Sequence, residues 1–347
     1  MSQDSAQVEQ AAIGTSQESS PARGLLRGSV GRNLGLVVAL LLICIVAVIT
    51  AGDRFASPDN ALTILRLAAP IGVISIGMTF VIIGGGIDLS VGAIVALSSV
   101  WCTTVATQTM AEDTHWLAMV LAALIVGAGC GLVNGLLISY GKIVPFIMTL
   151  AMLASARGLA EIISDRKTQI IDTREYDQVK AFSDFFRSEL FGIDMRIYLF
   201  AIVAIIGWVM LNRTTFGRRT IAVGGNPEAA RLAGIDVKRH TVYLYVLVGV
   251  CCGIAALMLV AQTGTGSSTH GLLYELDAIA AVVIGGTLLA GGRGTIVGTV
   301  LGVLIFMTLT NVFTLNNRSI SEQALLKGVI IVAAVLLQQR LASRSNN

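Results

Sequence analysis

The chain has 347 residues, of which 54% are hydrophobic and only 13% charged, and its formal net charge is +3. Soluble domains carry about 25% charged residues, so this chain lacks the polar groups to cover a water-facing surface. The small net charge gives no support for nucleic-acid binding. The composition therefore predicts an integral membrane protein.

Cysteine usage argues against a metal or disulfide framework. The chain has five cysteines, all within apolar runs and without C-x-x-C spacing. This pattern disfavours a disulfide framework or a zinc site and favours small buried apolar side chains. The residues are Cys44, Cys102, Cys130, Cys251 and Cys252.

The order of polar and apolar segments predicts an all-α polytopic bundle of about ten transmembrane helices. Residues 1–32 are expected to form a disordered cytoplasmic tail, residues 33–340 the transmembrane domain, and residues 341–347 a cytoplasmic C-terminal tail. The first apolar run is longer than a signal-peptide core, so a retained span is favoured over a cleaved signal. The apolar runs are 33–51, 67–83, 89–110, 116–141, 143–163, 197–211, 241–269, 278–292, 294–317 and 328–339. The helices that contain the second and the last run are expected to start earlier, near residues 61 and 321.

The distribution of Lys and Arg predicts the orientation. With ten spans and an internal N-terminus, the cytoplasmic segments hold most of the basic residues, including the loop at residues 212–240. Residues 164–196 fall outside, have nearly balanced charges and carry no motif. The chain is therefore expected to be a multi-pass membrane protein with both termini in the cytoplasm.

A glycine-rich turn, GGGIDLSVG, occupies residues 84–92. Asp88 suits an N-cap of the following helix, and the glycines permit a tight reversal. Two interpretations stay open: a polar re-entrant turn on a translocation path, or an ordinary capped turn at the membrane surface. A weaker echo at residues 284–294 hints at internal duplication.

The loop at residues 212–240 contains GGNPEAARLAG at residues 224–234. Asn226 suits an N-cap, Pro227 the first helical position, Glu228 the positive end of the helix dipole, and Gly234 a left-handed stop. A helix of about two turns is not stable alone. It needs the bundle or a cytoplasmic partner to rest on, although a basic loop held by anionic lipid is the alternative.

Polar groups within the spans are few. Asn134 and Asn311 lie in apolar runs and must find hydrogen-bond partners, either as part of a path for a neutral solute or as contacts between helices. Arg157 and Glu161 have the spacing of an ion pair on one helix face. His and carboxylate residues do not form the chain that a proton relay requires.

The sequence contains no G-x-x-x-x-G-K-[ST], so ATP binding by the usual phosphate loop is excluded for this chain. No nucleophile elbow, zinc motif or dinucleotide fingerprint is present either, which argues against a membrane-embedded enzyme. An ion-coupled secondary transporter of a small polar solute is the alternative to an ATP-driven one.

The motifs resemble those of the ribose-type (monosaccharide) permeases of ABC importers, in order along residues 33–340. They are GGIDLSVG at 85–92, GLVNG at 131–135 with VPFIMTL at 144–150, GGNPEAARLAGI at 224–235, and GGT through GGRGT at 285–295. The resemblance implies a type II importer fold, like that of the vitamin B12 permease. It also implies a homodimer working with a cytoplasmic ATPase, which binds ATP and Mg, and an extracytoplasmic sugar-binding protein. No cofactor is expected in this chain. The implied substrates are ribose, xylose, arabinose, galactose and similar small sugars.

The resemblance also implies roles for particular residues. Four polar residues are candidates for the substrate pathway: Asp88, Ser90, Asn134 and Asn311. The segment expected to couple to the ATPase comprises Asn226, Pro227, Glu228, Ala229, Ala230, Arg231, Leu232, Ala233 and Gly234. Membrane lipid surrounds the bundle, and no catalytic residue is expected.

Overall fold

The computed structural model describes residues 29–319, 321–330, 332 and 336. Most of the two expected tails therefore lies outside the described residues. The described elements, in chain order, are α1 (Ser29–Ala51), a 3-10 turn (Gly52–Arg54), α2 (Pro58–Ile83), α3 (Val91–Cys102), α4 (Val105–Asp113), α5 (Leu117–Ser139), α6 (Pro145–Ser164), β1 (Gln169–Ile170), α7 (Asp177–Arg187), β2 (Glu189–Leu190), β3 (Ile193–Asp194), α8 (Met195–Arg213), α9 (Thr215–Gly225), α10 (Pro227–Leu232), α11 (Val237–Thr263), β4 (Thr265–Gly266), α12 (Tyr274–Ile284) and α13 (Ile296–Leu315). Residues 321–330 are also helical.

Seven of the described helices are long and apolar enough to cross a membrane, namely α1, α2, α5, α6, α8, α11 and α13. Helices α3 and α4 have the length and hydropathy of a crossing only when taken together, and they are bent by 56° at the break between them, as in a broken span or a re-entrant loop. Each of these helices satisfies its backbone polar groups by internal hydrogen bonds, as the hydrocarbon core of a membrane requires. The expected integral membrane fold is confirmed.

The bundle has two ends, which we name by their contents. The glycine end holds the turn after α2, helices α9 and α10, and the loop before α13. The hairpin end holds the start of α2, α7 and the paired strands, in which β1 pairs with β4 and β2 with β3, both antiparallel. Helix α1 begins at the glycine end, because Thr50 near its other terminus accepts a hydrogen bond from Asn316 at the hairpin end.

The core is built around α2 and α11. Of the most apolar stretch of each, 89% and 78% of the residues are buried, against 11–28% in α1, α5, α6 and α8. The peripheral helices therefore present their apolar faces to the surroundings of the chain. Since lipid is as apolar as those side chains, close packing rather than hydrophobicity must hold the helices together.

Helix α5 packs against α11 through small residues, as the glycine spacing predicts. A β-carbon on Gly127 or Gly131 would overlap the backbone carbonyls of Gly249 and Tyr245 on α11. The absence of a side chain lets the two backbones touch. This interface fixes α5 against the core and so positions Asn134, one turn further along.

Two expected spans differ from the structure. The run at 89–110 breaks at Thr103 and Thr104, where the hydroxyl of Thr104 accepts from the N–H of Thr107 and starts α4. The run at 278–292 contains a helix only to Ile284, and α12 is 11 residues long. Apolar composition alone does not distinguish a continuous helix from a broken one. Of the last expected span, only residues 328–330, 332 and 336 are described, all of them helical.

The segment at residues 164–196 is ordered although it carries no recognisable motif. Helix α7 is amphipathic and buries Val179, Phe182 and Phe186 against the hairpin end of the bundle. The β2–β3 hairpin then leads directly into α8, where Asp194 caps the first turn by accepting from the N–H of Arg196 at 2.9 Å.

Candidate functional site

Three glycine-rich turns that are distant in sequence meet at the glycine end. The backbone N–H of Gly292 donates to the carbonyl of Ile83 at 2.8 Å. A β-carbon on Gly224 would overlap that same carbonyl oxygen, and one on Gly291 would lie 3.0 Å from the Cα of Gly85. We call residues 84–86, 224–225 and 291–292 the glycine cluster. It joins the end of α2, the end of α9 and the loop before α13 by direct backbone contact.

The conformation of this cluster requires glycine at several positions. Gly85, Gly291 and Gly292 have φ values of +83°, +87° and +73°, a region that L-residues with a β-carbon rarely adopt. Both the backbone angles and the space available therefore exclude larger residues. The repeated glycine turns seen in the sequence are explained by one shared contact.

The turn that leaves the glycine cluster carries Asp88 and Ser90 to Asn134. The Asp88 carboxylate accepts from the Ser90 N–H at 2.8 Å and from the Ser90 hydroxyl at 2.5 Å. The Asn134 amide donates to the Ser90 hydroxyl at 3.0 Å. All three side chains are buried within the chain. The structure thus brings three of the four pathway candidates together, between α3 and α5.

The expected capping role of Asp88 is corrected. Helix α3 begins at Val91 and its N-cap position is Ser90, so Asp88 lies two residues before the cap and folds the turn by bonding Ser90 rather than the helix N–H groups. Asp88 and Ser90 are both residue types that cap helices. The sequence alone does not decide between them, and the prediction chose the earlier one. Within the described residues, Oδ2 of Asp88 and Oδ1 of Asn134 have no hydrogen-bond partner.

Tyr245 completes this buried polar group, and sequence analysis missed it. Its hydroxyl donates to the carbonyl of Ile87 at 3.0 Å, and its side chain is 1% exposed. A phenol in the middle of α11 ties the glycine turn to the core helix. The signal was available, since a Tyr in a long uncharged run needs a hydrogen-bond partner.

Asn311, the fourth pathway candidate, lies elsewhere. Its amide exchanges two hydrogen bonds with that of Asn60, at 2.8 and 3.2 Å. Asn60 is near the start of α2, whereas Asp88 follows its end, about 35 Å away along the helix. The pair joins α2 to α13 at the hairpin end, so Asn311 has the geometry of a contact between helices.

Helix α10 has the capping that the sequence predicts. The Asn226 side chain accepts from the Ala229 N–H at 3.0 Å, and Pro227 occupies the first turn. Gly234 has φ +82°, and Ile235 N–H returns to the carbonyl of Ala230 at 3.0 Å. These bonds close both ends of a helix of only 6 residues.

One side of α10 is fixed to the bundle and the other is free. Ala230 is 4% exposed, whereas Leu232 is 79% exposed and Ala229 and Ala233 are also exposed. Arg231 pairs with Glu228 on the helix itself at 2.6 Å. The resulting surface is a small apolar patch, Ala229, Leu232 and Ala233, edged by charge.

The charges within the spans pair differently from the expected pattern. Arg157 does not bond Glu161; its guanidinium donates to the carbonyls of Ser268 and His270. Glu161 instead pairs with Arg166 at 3.2 Å. Lys327 donates to both carboxylate oxygens of Asp277 at 3.2 Å. Spacing on one helix cannot reveal such tertiary partners.

Comparison with known proteins defines the class. Residues 60–335 match the family described as the permease component of the branched-chain amino acid transport system. The chain belongs to this permease family. It is thus a membrane-embedded permease component of a transport system, and such components are not themselves enzymes.

The relatives come from sugar transport. The ribose import permease of Bacillus subtilis is 42% identical over 89% of this chain and 92% of its own length. That of Escherichia coli K12 is 35% identical over 94% of this chain and 99% of its own, and the fructose import permease of Rhizobium meliloti is 35% identical over 87% and 84%. No solved structure matches the chain. The family thus includes permeases for sugars as well as for branched-chain amino acids. Within it, this chain groups with the sugar permeases of bacterial inner membranes.

Proposed function

We propose that the chain is the permease subunit of an ABC importer that carries a monosaccharide, ribose or a related small sugar, into the cell. The observation that carries the proposal is the full-length similarity to ribose import permeases. The full sequence lacks a phosphate loop, so ATP and Mg belong to a separate ATPase. A sugar-binding protein outside the membrane delivers the substrate. No metal or cofactor is assigned to this chain.

The finer architecture belongs to the same proposal. The permease has about ten spans in the type II fold, works as a homodimer in lipid, and keeps both termini in the cytoplasm. Three observations support the orientation: α1 begins at the glycine end, the basic loop at residues 212–240 lies at that end, and Arg293 lies there too. The positive-inside rule then places the glycine end in the cytoplasm.

Helix α10 is the docking element for the ATPase. Its six residues are too few for a helix that is stable in isolation, and its apolar patch has no partner among the described residues. A cytoplasmic surface that buries Leu232 would gain about 1.5–3 kcal/mol from that side chain. Because both ends are capped, the helix is already formed before docking, so little conformational freedom is lost when it docks.

The glycine cluster transmits movement of α10 to the translocation path. Helix α10 follows Gly224 and Gly225 after one residue, and these glycines touch the turn before Asp88 and the loop before α13. Close-packed backbone contacts are stiff, so a displacement of α10 must move the turn at residues 84–90. Asp88, Ser90 and Asn134 then act by holding that turn on α5, and Asn311 acts by fixing α13 on α2.

A growth experiment tests the proposed substrate class. The chain is expressed with its ATPase and binding protein in bacteria that lack their own ribose uptake. We expect growth on ribose as the sole carbon source, and no growth when the permease gene alone is omitted. Growth restored on an amino acid but on none of the pentoses or hexoses would contradict the sugar assignment.

A further inference from the structure

The chain between β4 and α12, residues 267–273, is neither helix nor strand, yet it lies deep within the bundle. A β-carbon on Gly266 would overlap Ser99 near the end of α3, and one on Gly271 would lie 2.6 Å from the carbonyl of Gly92 near its start. The segment therefore descends along α3 from Ser99 to Gly92, a distance of about 10 Å.

The starting point of this descent is the membrane surface. Helix α11, which precedes it, has 27 residues, or about 40 Å, enough to span the bilayer with its headgroups. Residues 267–273 thus re-enter the membrane region, and α12 continues the crossing. Together they overlap the end of the seventh expected run, 241–269, and the start of the eighth, 278–292.

Irregular backbone at this depth needs partners for its polar groups. Within the part of the chain that the structure describes, the N–H groups of Ser268, Leu272 and Leu273 donate no hydrogen bond. Thr269 is exposed, and Leu272 and Leu273 are 64% and 48% exposed. Unpaired backbone at membrane depth is tolerated only where it is buried in protein or lines a water-filled cavity. Because these side chains are exposed on the surface of the chain, the segment is not buried within it.

One side of the segment is anchored and the other is left open. Arg157 of α6 donates to the carbonyls of Ser268 and His270, the latter at 2.9 Å. The imidazole of His270 bonds the Ser99 hydroxyl at 3.1 Å. Behind the segment, Oε2 of Glu275 is buried and has no hydrogen-bond partner among the described residues. A guanidinium that holds two carbonyl oxygens fixes this series of turns at two points.

We propose that residues 267–273 line the sugar path and that Arg157 is the positioning residue that holds them there. Free N–H groups and the Thr269 hydroxyl offer hydrogen bonds to the hydroxyl groups of a neutral sugar without contributing charge. The proposal rests on the proposed function, because it takes the permeant solute to be a sugar. It places the path on the exposed surface of this segment, where a second copy of the chain would close it.

Thiol accessibility tests the path. Thr269→Cys and Leu272→Cys are compared with Ile202→Cys, which lies in the apolar span α8 and is 50% exposed. A small charged thiol reagent, applied to proteoliposomes of the assembled transporter, should label the first two variants above the wild-type background and leave Ile202→Cys unlabelled, since thiolate forms only in water. Ribose-loaded binding protein with ATP should slow the labelling at least threefold.

The role of Arg157 is tested in the same system. Arg157→Lys and Arg157→Gln should lower ribose uptake at least tenfold and change the labelling rate of Thr269→Cys, while Arg166→Gln, whose side chain is 83% exposed, should do neither. Labelling of Thr269→Cys and Leu272→Cys no faster than Ile202→Cys would overturn the path, as would labelling that ribose, binding protein and ATP do not change. An unchanged Thr269→Cys labelling rate in the Arg157 variants would overturn the positioning role. Ribose uptake that depends on ATP in the wild type confirms the proposed function independently of these outcomes.

Discussion

Gly224 and Gly225 are neighbours at the end of α9, but their surroundings are opposite. A β-carbon on Gly224 would overlap the backbone of Ile83, whereas one on Gly225 would meet no atom of the described residues within 4 Å. Backbone at Ile83 cannot move aside without disturbing α2, the most buried of the seven long apolar helices. The two positions therefore form a matched pair for testing the glycine cluster.

We predict that Gly224→Ala lowers the free energy of unfolding by about 1–3 kcal/mol, as overpacking does, and lowers uptake with it. Thermal unfolding of the purified permease in detergent measures the first effect. Gly225→Ala should leave thermal stability unchanged. Equal melting temperatures for the two variants would show that the backbone contact at Gly224 contributes nothing to stability.

The Asp277–Lys327 pair leads to a second prediction at this scale. The side chains are 13% and 22% exposed, so Lys327→Met leaves a largely buried carboxylate without its partner, at a cost of about 3 kcal/mol. Thermal stability should fall in Lys327→Met and recover in part when Asp277→Asn is added. Lys167→Met, in an ion pair that is 76% and 82% exposed, serves as the control and should have little effect. No recovery in the double variant would contradict a pairwise charge effect.

Among the elements, α10 is the one whose function depends most on its exposed face. Leu232→Glu and Ala229→Glu would place an unpaired charge against the ATPase, at a cost of about 1–3 kcal/mol or more. We expect normal insertion and abundance, because the change lies outside the spans, together with loss of co-purification with the ATPase. Asp184→Lys on α7, at the hairpin end, should keep the interaction. Undiminished co-purification of both helix variants would favour the alternative of a basic loop resting on lipid.

An element whose shape is set by nearby residues can be predicted from the sequence, whereas one that is held by residues distant in the chain cannot. The caps of α10 are set by Asn226, Pro227 and Gly234, all within the same stretch of chain, and the sequence predicts them correctly. The seventh expected span, residues 241–269, is different, because α11 ends at Thr263. Residues 267–273 form turns that contact Arg157 and Gly92, more than 100 residues earlier. Local apolar composition contains no trace of these contacts, so the expected run continued to residue 269.

At the scale of the whole molecule, the family and the membrane class were predictable because composition and separate motifs carry them. The meeting of three glycine turns was not, because their positions at residues 84–86, 224–225 and 291–292 are brought together only by the packing of α2, α9 and the loop before α13. The same holds for Asn311, whose partner Asn60 lies 251 residues away.

The orientation of the bundle gives a further prediction. With the glycine end in the cytoplasm, Ser2→Cys and Asp236→Cys should resist an impermeant thiol reagent applied to intact cells. Asp184→Cys, on the exposed face of α7 at the opposite end, should react. Labelling of Asp236→Cys at the rate of Asp184→Cys in sealed cells would reverse the proposed topology.

The central claim is that ATP hydrolysis in a partner subunit, and not an ion gradient, drives movement of a sugar through this chain. The most direct measurement is ribose uptake into proteoliposomes that hold the permease and its ATPase, with the binding protein outside and ATP enclosed. The account predicts uptake that requires ATP and persists when ionophores collapse the proton and sodium gradients. Uptake that continues without ATP and stops when either gradient is collapsed would contradict it and identify an ion-coupled transporter instead.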